Sequence, residues 1–171
     1  MVVVALFVSY KTTAEQVQVA DIGDISELNG SAQIVRNKTS NTAALKLGIQ
    51  TYDEAITKNG RMAITFLDNS TVKLTEHSQL VVDEYIYDPD PSKSKMSLNF
   101  ALGTARFITG NLNRIDKQNI KLSTPTANIA IRGTDFTATV DELGRSLIIL
   151  LPDALGLSSG EIEVVTAMGT V

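Results

Sequence analysis

The chain has 171 residues, with 15 Lys and Arg against 19 Asp and Glu, a net charge of −4 and a pI near 5.0. This length suits one domain that buries its own core, and the acidic balance offers nothing to hold a nucleic-acid backbone. At 43 % hydrophobic and 20 % charged residues the composition is globular, while zero Cys excludes disulfides, thiolate metal sites and a Cys nucleophile, and one His and no Trp thin the catalytic options further.

Val2 to Val8 is an uninterrupted apolar run, Val-Val-Val-Ala-Leu-Phe-Val. It is far short of the roughly 18–20 residues of a membrane span. No Lys or Arg precedes it, so the basic region of a signal peptide is missing. Two readings stay open: a strand, ordered or held by a partner, and a signal remnant with Ala14 near the cleavage point. The polar stretch Lys11 to Gln18 then reads as a linker.

The interior is a series of short alternating runs separated by turn residues. Ser31 to Arg36 and Ala43 to Leu47 are strand candidates, and Lys58-Asn59-Gly60-Arg61 is a turn signal. After it Met62, Ile64 and Phe66 share one strand face, with Arg61, Ala63 and Thr65 opposite. Asp68-Asn69 predicts a two-residue hairpin into Ser70 to Leu74, because both residues tolerate positive φ. Ser78 to Tyr87 is a further strand, ended by the polar, twice-proline stretch Asp88 to Lys95, which is expected to be exposed. Met96 to Leu102 and Thr104 to Thr109 flank Gly103. Strands are then expected around Ile120 and Leu122, and over Asn128 to Arg132, Thr134 to Val140, Ser146 to Leu151 and Glu161 to Thr166.

No helical period survives beyond about two turns, Thr51 to Lys58 being the best candidate. Strands recurring every 8–12 residues predict an all-β fold, either a short irregular β-solenoid or a twisted β-roll or sandwich. No strict internal repeat is visible.

The segment Ser123-Thr124-Pro125-Thr126-Ala127-Asn128-Ile129-Ala130-Ile131-Arg132-Gly133-Thr134-Asp135-Phe136 resembles the signature of the FecR domain family. That signature runs Thr-Pro-Thr-Ala, a few apolar residues, then Arg-Gly-Thr and a polar residue before Phe. Gly30 to Ile34 looks like the family's opening strand. Gly60 to Ser70 is similar to its Gly-Arg-Ala hairpin, with Asn69 where Gly is usual. Leu98 to Phe107 looks like its stretch around a central Gly. The resemblance divides the chain into 1–26, an apolar strand or signal remnant with its linker, 27–151, the FecR-like β domain, and 152–171, a loop and terminal strand. It implies a non-enzymatic, extracytoplasmic β module, in the periplasm, on the surface or secreted, that engages other proteins. The anti-sigma segment and transmembrane helix of the regulator that names the family have no counterpart here. The alternative is a structural subunit of a larger assembly, such as a surface layer, a filament or a virus particle, with its terminal strands as contacts.

The motif residues Thr124, Pro125, Arg132, Gly133, Thr134 and Phe136 read as structural. Pro125 suits a strand entry, through its fixed φ and missing N–H. Arg132 carries five donors for carbonyls or a carboxylate, and is expected to be buried and paired. Gly133 is expected to supply a positive φ or a close backbone approach. His77 has no His or Cys partners for a metal and no adjacent nucleophile to activate. Asp83, Glu84, Asp88 and Asp90 lack the spacing of a calcium loop and read as a solvated cluster. Gly103, Gly110 and Gly133 form no phosphate-cradling pattern. No paired carboxylates for polysaccharide hydrolysis are singled out either. No catalytic residue, metal or cofactor is therefore expected. The partners expected are other protein chains, self or different, and not nucleic acid, a membrane span or a small-molecule ligand.

Overall fold

The computed structural model describes residues 19–110, 115, 119–132, 135–152, 155–157 and 160–170. Every regular element in them is a strand: β1 (Gly23–Arg36), β2 (Thr39–Thr42), β3 (Gly48–Ile49), β4 (Glu54–Phe66), β5 (Thr71–Leu74), β6 (Gln79–Ile86), β7 (Lys95–Ile108), β8 (Ile120–Ser123), β9 (Ala127–Arg132), β10 (Phe136–Val140), β11 (Ser146–Leu150), β12 (Glu161–Thr166) and β13 (Gly169–Thr170). The Val2–Val8 run lies outside the described residues.

Long strands alternate with broken ones. The outer edge of β1 pairs first with β3 and then with β2, which follow one another along it. Its other edge pairs with β4 over nearly its whole length. Between β4 and β7 run β5 and β6, end to end, each bonded to both long strands. The four strands thus close a hydrogen-bonded circuit. Among the described pairings only β7 with β8 is parallel. A regular solenoid stacks parallel coils, and a roll or sandwich leaves its sheets open, so this closed four-strand antiparallel barrel is all-β without being a clear solenoid, roll or sandwich.

Glycines let the long strands turn. Phe100 and Phe107 are seven residues apart on β7, a span of about 23 Å if extended. Their ring centroids lie 6.1 Å apart, edge to face. The strand therefore folds sharply between them, at Gly103, whose φ is +94° and where a Cβ would approach Ser78 Cα to 2.6 Å. The next two long strands bend in line with it, where Gly30 of β1 sits opposite Gly60 of β4 beside a β-bulge. Folding brings Phe66 of β4 onto Tyr85 of β6, stacked at 5.4 Å. The two halves bury one shared core that includes Ile25, Ile64 and Phe107 from one side and Ile34, Leu80 and Phe100 from the other.

Several local expectations are corrected by this frame. Lys58 to Arg61 is not a turn: β4 continues through it without reversing, bent where Gly60 faces Gly30. Ala43 to Leu47 is the corner between β2 and β3, not a strand, with Lys46 at φ 66°. Thr51 to Lys58 enters β4, so the short helical period is overridden by strand pairing. Met62, Ile64 and Phe66 are buried on alternate positions as expected, and Ala63, on the opposite face with Arg61 and Thr65, is buried as well. The two strands expected around Gly103 are one bent strand. Residues 89–93 are exposed, while Ser94 is buried because its hydroxyl accepts from Asp88 N and donates to Asp88 O, closing the base of the loop.

Candidate interaction surface

Chemistry has little to work with in the interior. Buried Asp53 is held by Arg36 through Nε at 2.8 Å and Nη2 at 2.6 Å, and accepts from Gln50 N. The Asp53 carboxylate raises the Arg36 pKa above its ordinary value, chiefly through this hydrogen bond and against the opposing cost of burial. Buried Asp68 accepts from Ser70 Oγ at 2.6 Å and from Tyr85 Oη at 3.3 Å. Burial, with the Asp68 charge behind it, pushes the Tyr85 phenol up. Sequence inspection singled out neither network, since each joins residues on different strands. Both are fully satisfied and stitch turns to strands.

The residues weighed for chemistry are scattered. His77 is exposed in the corner between β5 and β6 with φ 54°, and its backbone N–H bonds Lys58 O. Asp88 and Asp90 accept backbone N–H groups two residues on, from Asp90 and Ser92, as loop carboxylates do. Serine and lysine contacts hold Asp90 below the usual carboxylate range, and partial burial pushes Asp83 up. Among the described residues no group of three or more His, Asp or Glu could hold a metal. No helix among them is long and apolar enough to cross a membrane.

The signature residues lie around one hairpin. Thr124 Oγ1 accepts from Ala127 N at 3.1 Å and from Ser146 Oγ at 2.7 Å. Thr126 Oγ1 donates to Gly144 O at 3.2 Å and lies 2.8 Å from Ser146 Oγ. Pro125 is exposed between them. The Thr-Pro-Thr turn is thus bonded to the loop and first residue of the β10–β11 hairpin. Phe136, on β10, is fully buried and stacks on Phe107 at 5.0 Å. Beside it Arg106 bonds Asp135 at 2.8 Å. Arg132 ends β9 opposite Glu161 of β12; its side chain, Gly133 and Thr134 lie outside the described residues.

What this anchoring presents is a bare apolar edge. Among the described residues β11 pairs with β10 alone. The bonds Asp141 N to Arg145 O and Leu151 N to Asp135 O set the phase of the ladder. Leu147 and Ile149 bond toward β10, so the N–H and C=O groups of Ser146, Ile148 and Leu150 point outward. Leu147 and Ile149 are 59 % and 48 % exposed on the solvent face, while Ile148 packs against the core. The sequence Ser-Leu-Ile-Ile-Leu carries no charge, proline or bulge to blunt the edge. An apolar run of this kind reads as a strand buried on both faces, which is why sequence inspection found the strand and missed its exposure.

A family model described as FecR protein matches residues 53–152, more than half of the chain, from the start of β4 through the end of β11. Neither a curated protein nor a solved structure matches.

Proposed function

Because the chain belongs to the FecR family, we propose that it binds other protein chains by main-chain pairing at the free edge of β11. FecR domains are non-catalytic modules, typically periplasmic or otherwise extracytoplasmic, that act through protein–protein interaction. The observation that carries the surface assignment is the unprotected edge, with three outward donors and acceptors beside two exposed aliphatic side chains. An extended partner segment would satisfy those groups and bury alternate side chains against Leu147 and Ile149. On this reading the signature residues Thr124, Pro125, Arg132, Gly133, Thr134 and Phe136 are structural, with Thr124 and Phe136 fixing the hairpin whose outer strand is displayed. The module reaches back from 27 to the start of β1 at Gly23 and runs on to 151, with 152–171 continuing the sheet through β12.

Hydrogen exchange tests the assignment. At low protein concentration, a synthetic peptide of alternating Val and Thr with Lys ends is added in excess. Amides of Ser146, Ile148 and Leu150 should gain protection, while those of Leu147 and Ile149 are already protected. Protection elsewhere, with these three unchanged, overturns the edge as the binding surface.

A further inference from the structure

Resting on that reading, we infer that one partner of the β11 edge is a second copy of this chain, paired antiparallel about a two-fold axis through Ile148. The geometry of the strand is self-complementary. With Ile148 opposite its own counterpart, Ser146 faces Leu150 of the other copy, and Leu150 faces Ser146. These are the residues whose backbone groups point outward. Three donors from each copy therefore find three acceptors on the other, and the sheet continues unbroken across the axis. The same register sets Leu147 directly across from Ile149 of the second copy, so the exposed face meets apolar against apolar at both ends. A shift by one residue would put inward-bonded groups at the interface and lose the pairing.

Area decides how strong such a dimer is. The paired strands alone would cover roughly 700 Å² over both copies, below the roughly 1,200 Å² at which stable interfaces begin. The two-fold carries the hairpin tip, where Leu143 is 78 % exposed, toward the stretch beyond β11 of the other copy, where Leu155 is 82 % exposed. That brings the interface near the threshold and makes it reversible. Charge does not oppose it: Arg145 is already paired with Asp141 at 2.7 Å, and the five strand residues are neutral.

Sedimentation of the whole chain from roughly 10 µM to 1 mM reads the equilibrium. The wild type should pass from monomer to dimer, without larger species. L147K/I149K places like charges across the axis and should weaken the dimer at least about tenfold, with an unchanged melting temperature to show that the fold is intact. L147K/I149E places Lys opposite Glu in this register alone and should bind at least about tenfold tighter than the double Lys variant. Since the chain has no Cys, mixing L147C with I149C should give an oxidised cross-link that neither gives alone. A wild type that stays monomeric at 1 mM overturns self-pairing, as does a Lys/Glu variant no tighter than Lys/Lys, or Cys variants that cross-link equally alone and mixed. The Val/Thr peptide separates the two levels: if it still protects Ser146, Ile148 and Leu150, the edge binds partners and only the second copy is wrong.

Discussion

Two edge strands of the sheet, β2 and β11, carry opposite chemistry. β2, Thr-Ser-Asn-Thr, lies on the outer edge of β1, fully exposed and entirely polar. β11, Ser-Leu-Ile-Ile-Leu, lies on the outer edge of β10 and exposes two aliphatic side chains. Among the described residues each is paired with a strand on one side only, so hydrogen bonding alone does not separate them. The difference is what a partner gains beyond those bonds: at β2 polar side chains remain hydrated, whereas at β11 apolar surface leaves water. The strand behind the polar edge is also held from within: Arg36, at the end of β1, reaches the buried Asp53 and Gly48 O of β3. The lesson is that an edge left apolar beside one kept polar marks the side on which contact is tolerated.

The largest expected effect falls on the internally held edge. Arg36→Ala leaves the Asp53 carboxylate buried without its partner, and should cost about 3–5 kcal/mol in chemical denaturation. The discount for solvent screening is small here because Asp53 itself is buried, although Arg36 is partly exposed. Dimerisation of the surviving folded fraction should be unaffected. A cost under about 0.5 kcal/mol would show that the end of β1 is not anchored this way.

A smaller gain is expected at the turn of the same edge. Asn37 and Lys38 have φ of 50° and 63°, the two positive values of a type I′ hairpin. Lys38→Gly removes the steric penalty at the second position and should raise stability by about 0.5–1 kcal/mol. A loss instead would mean that the Lys38 side chain contributes more than its backbone costs.

Transplanting the chemistry sharpens the contrast further. Ser40→Leu with Thr42→Ile, made in the L147K/I149K background, should restore weak concentration-dependent association through the β2 edge. Its dimer should be several-fold weaker than that of the wild type, since β2 is one residue shorter than β11. Association absent at 1 mM would show that strand length outweighs side-chain chemistry.

The smallest effect is electrostatic. Asp141 accepts from Arg145 Nε and from the backbone of Arg145 and Leu143, which holds its carboxyl below the ordinary 3.8. A lowered folded-state value means that the contribution to the hairpin is present above 3.8 and is lost as pH falls through the lower value. Titration by NMR should place Asp141 below 3.8, and Arg145→Ala should move it upward. An unmoved titration would put the cause elsewhere in the loop.

The strands themselves were largely legible, because a period of two needs only neighbouring residues to be read. β5, β6, β9, β10 and β12 fall where alternation and turn residues put them. The Thr-Pro-Thr-Ala and Arg-Gly-Thr residues carried the family. What went unread depends on long-range pairing. Gly60 lies in a turn-like tetrapeptide, yet it is a bend within β4 because Gly30, thirty positions earlier, lies opposite it. Asp68 and Tyr85 look like independent turn and strand residues until the fold stacks Tyr85 on Phe66.

The sequence by itself determined that this chain is all-β, that it has no Cys for disulfides, thiolate metal sites or a Cys nucleophile, and to which family it belongs. These follow from local periodicity, residue inventory and a contiguous motif. Only the tertiary structure decided which strands have a neighbour on both sides. Ser146–Leu150 and Val72–Leu74 look alike as short β-forming runs, but β5 is enclosed between β4 and β7 while, among the described residues, β11 has β10 alone. An edge is a property of pairing, set by where distant strands lie, and no window along the chain contains it.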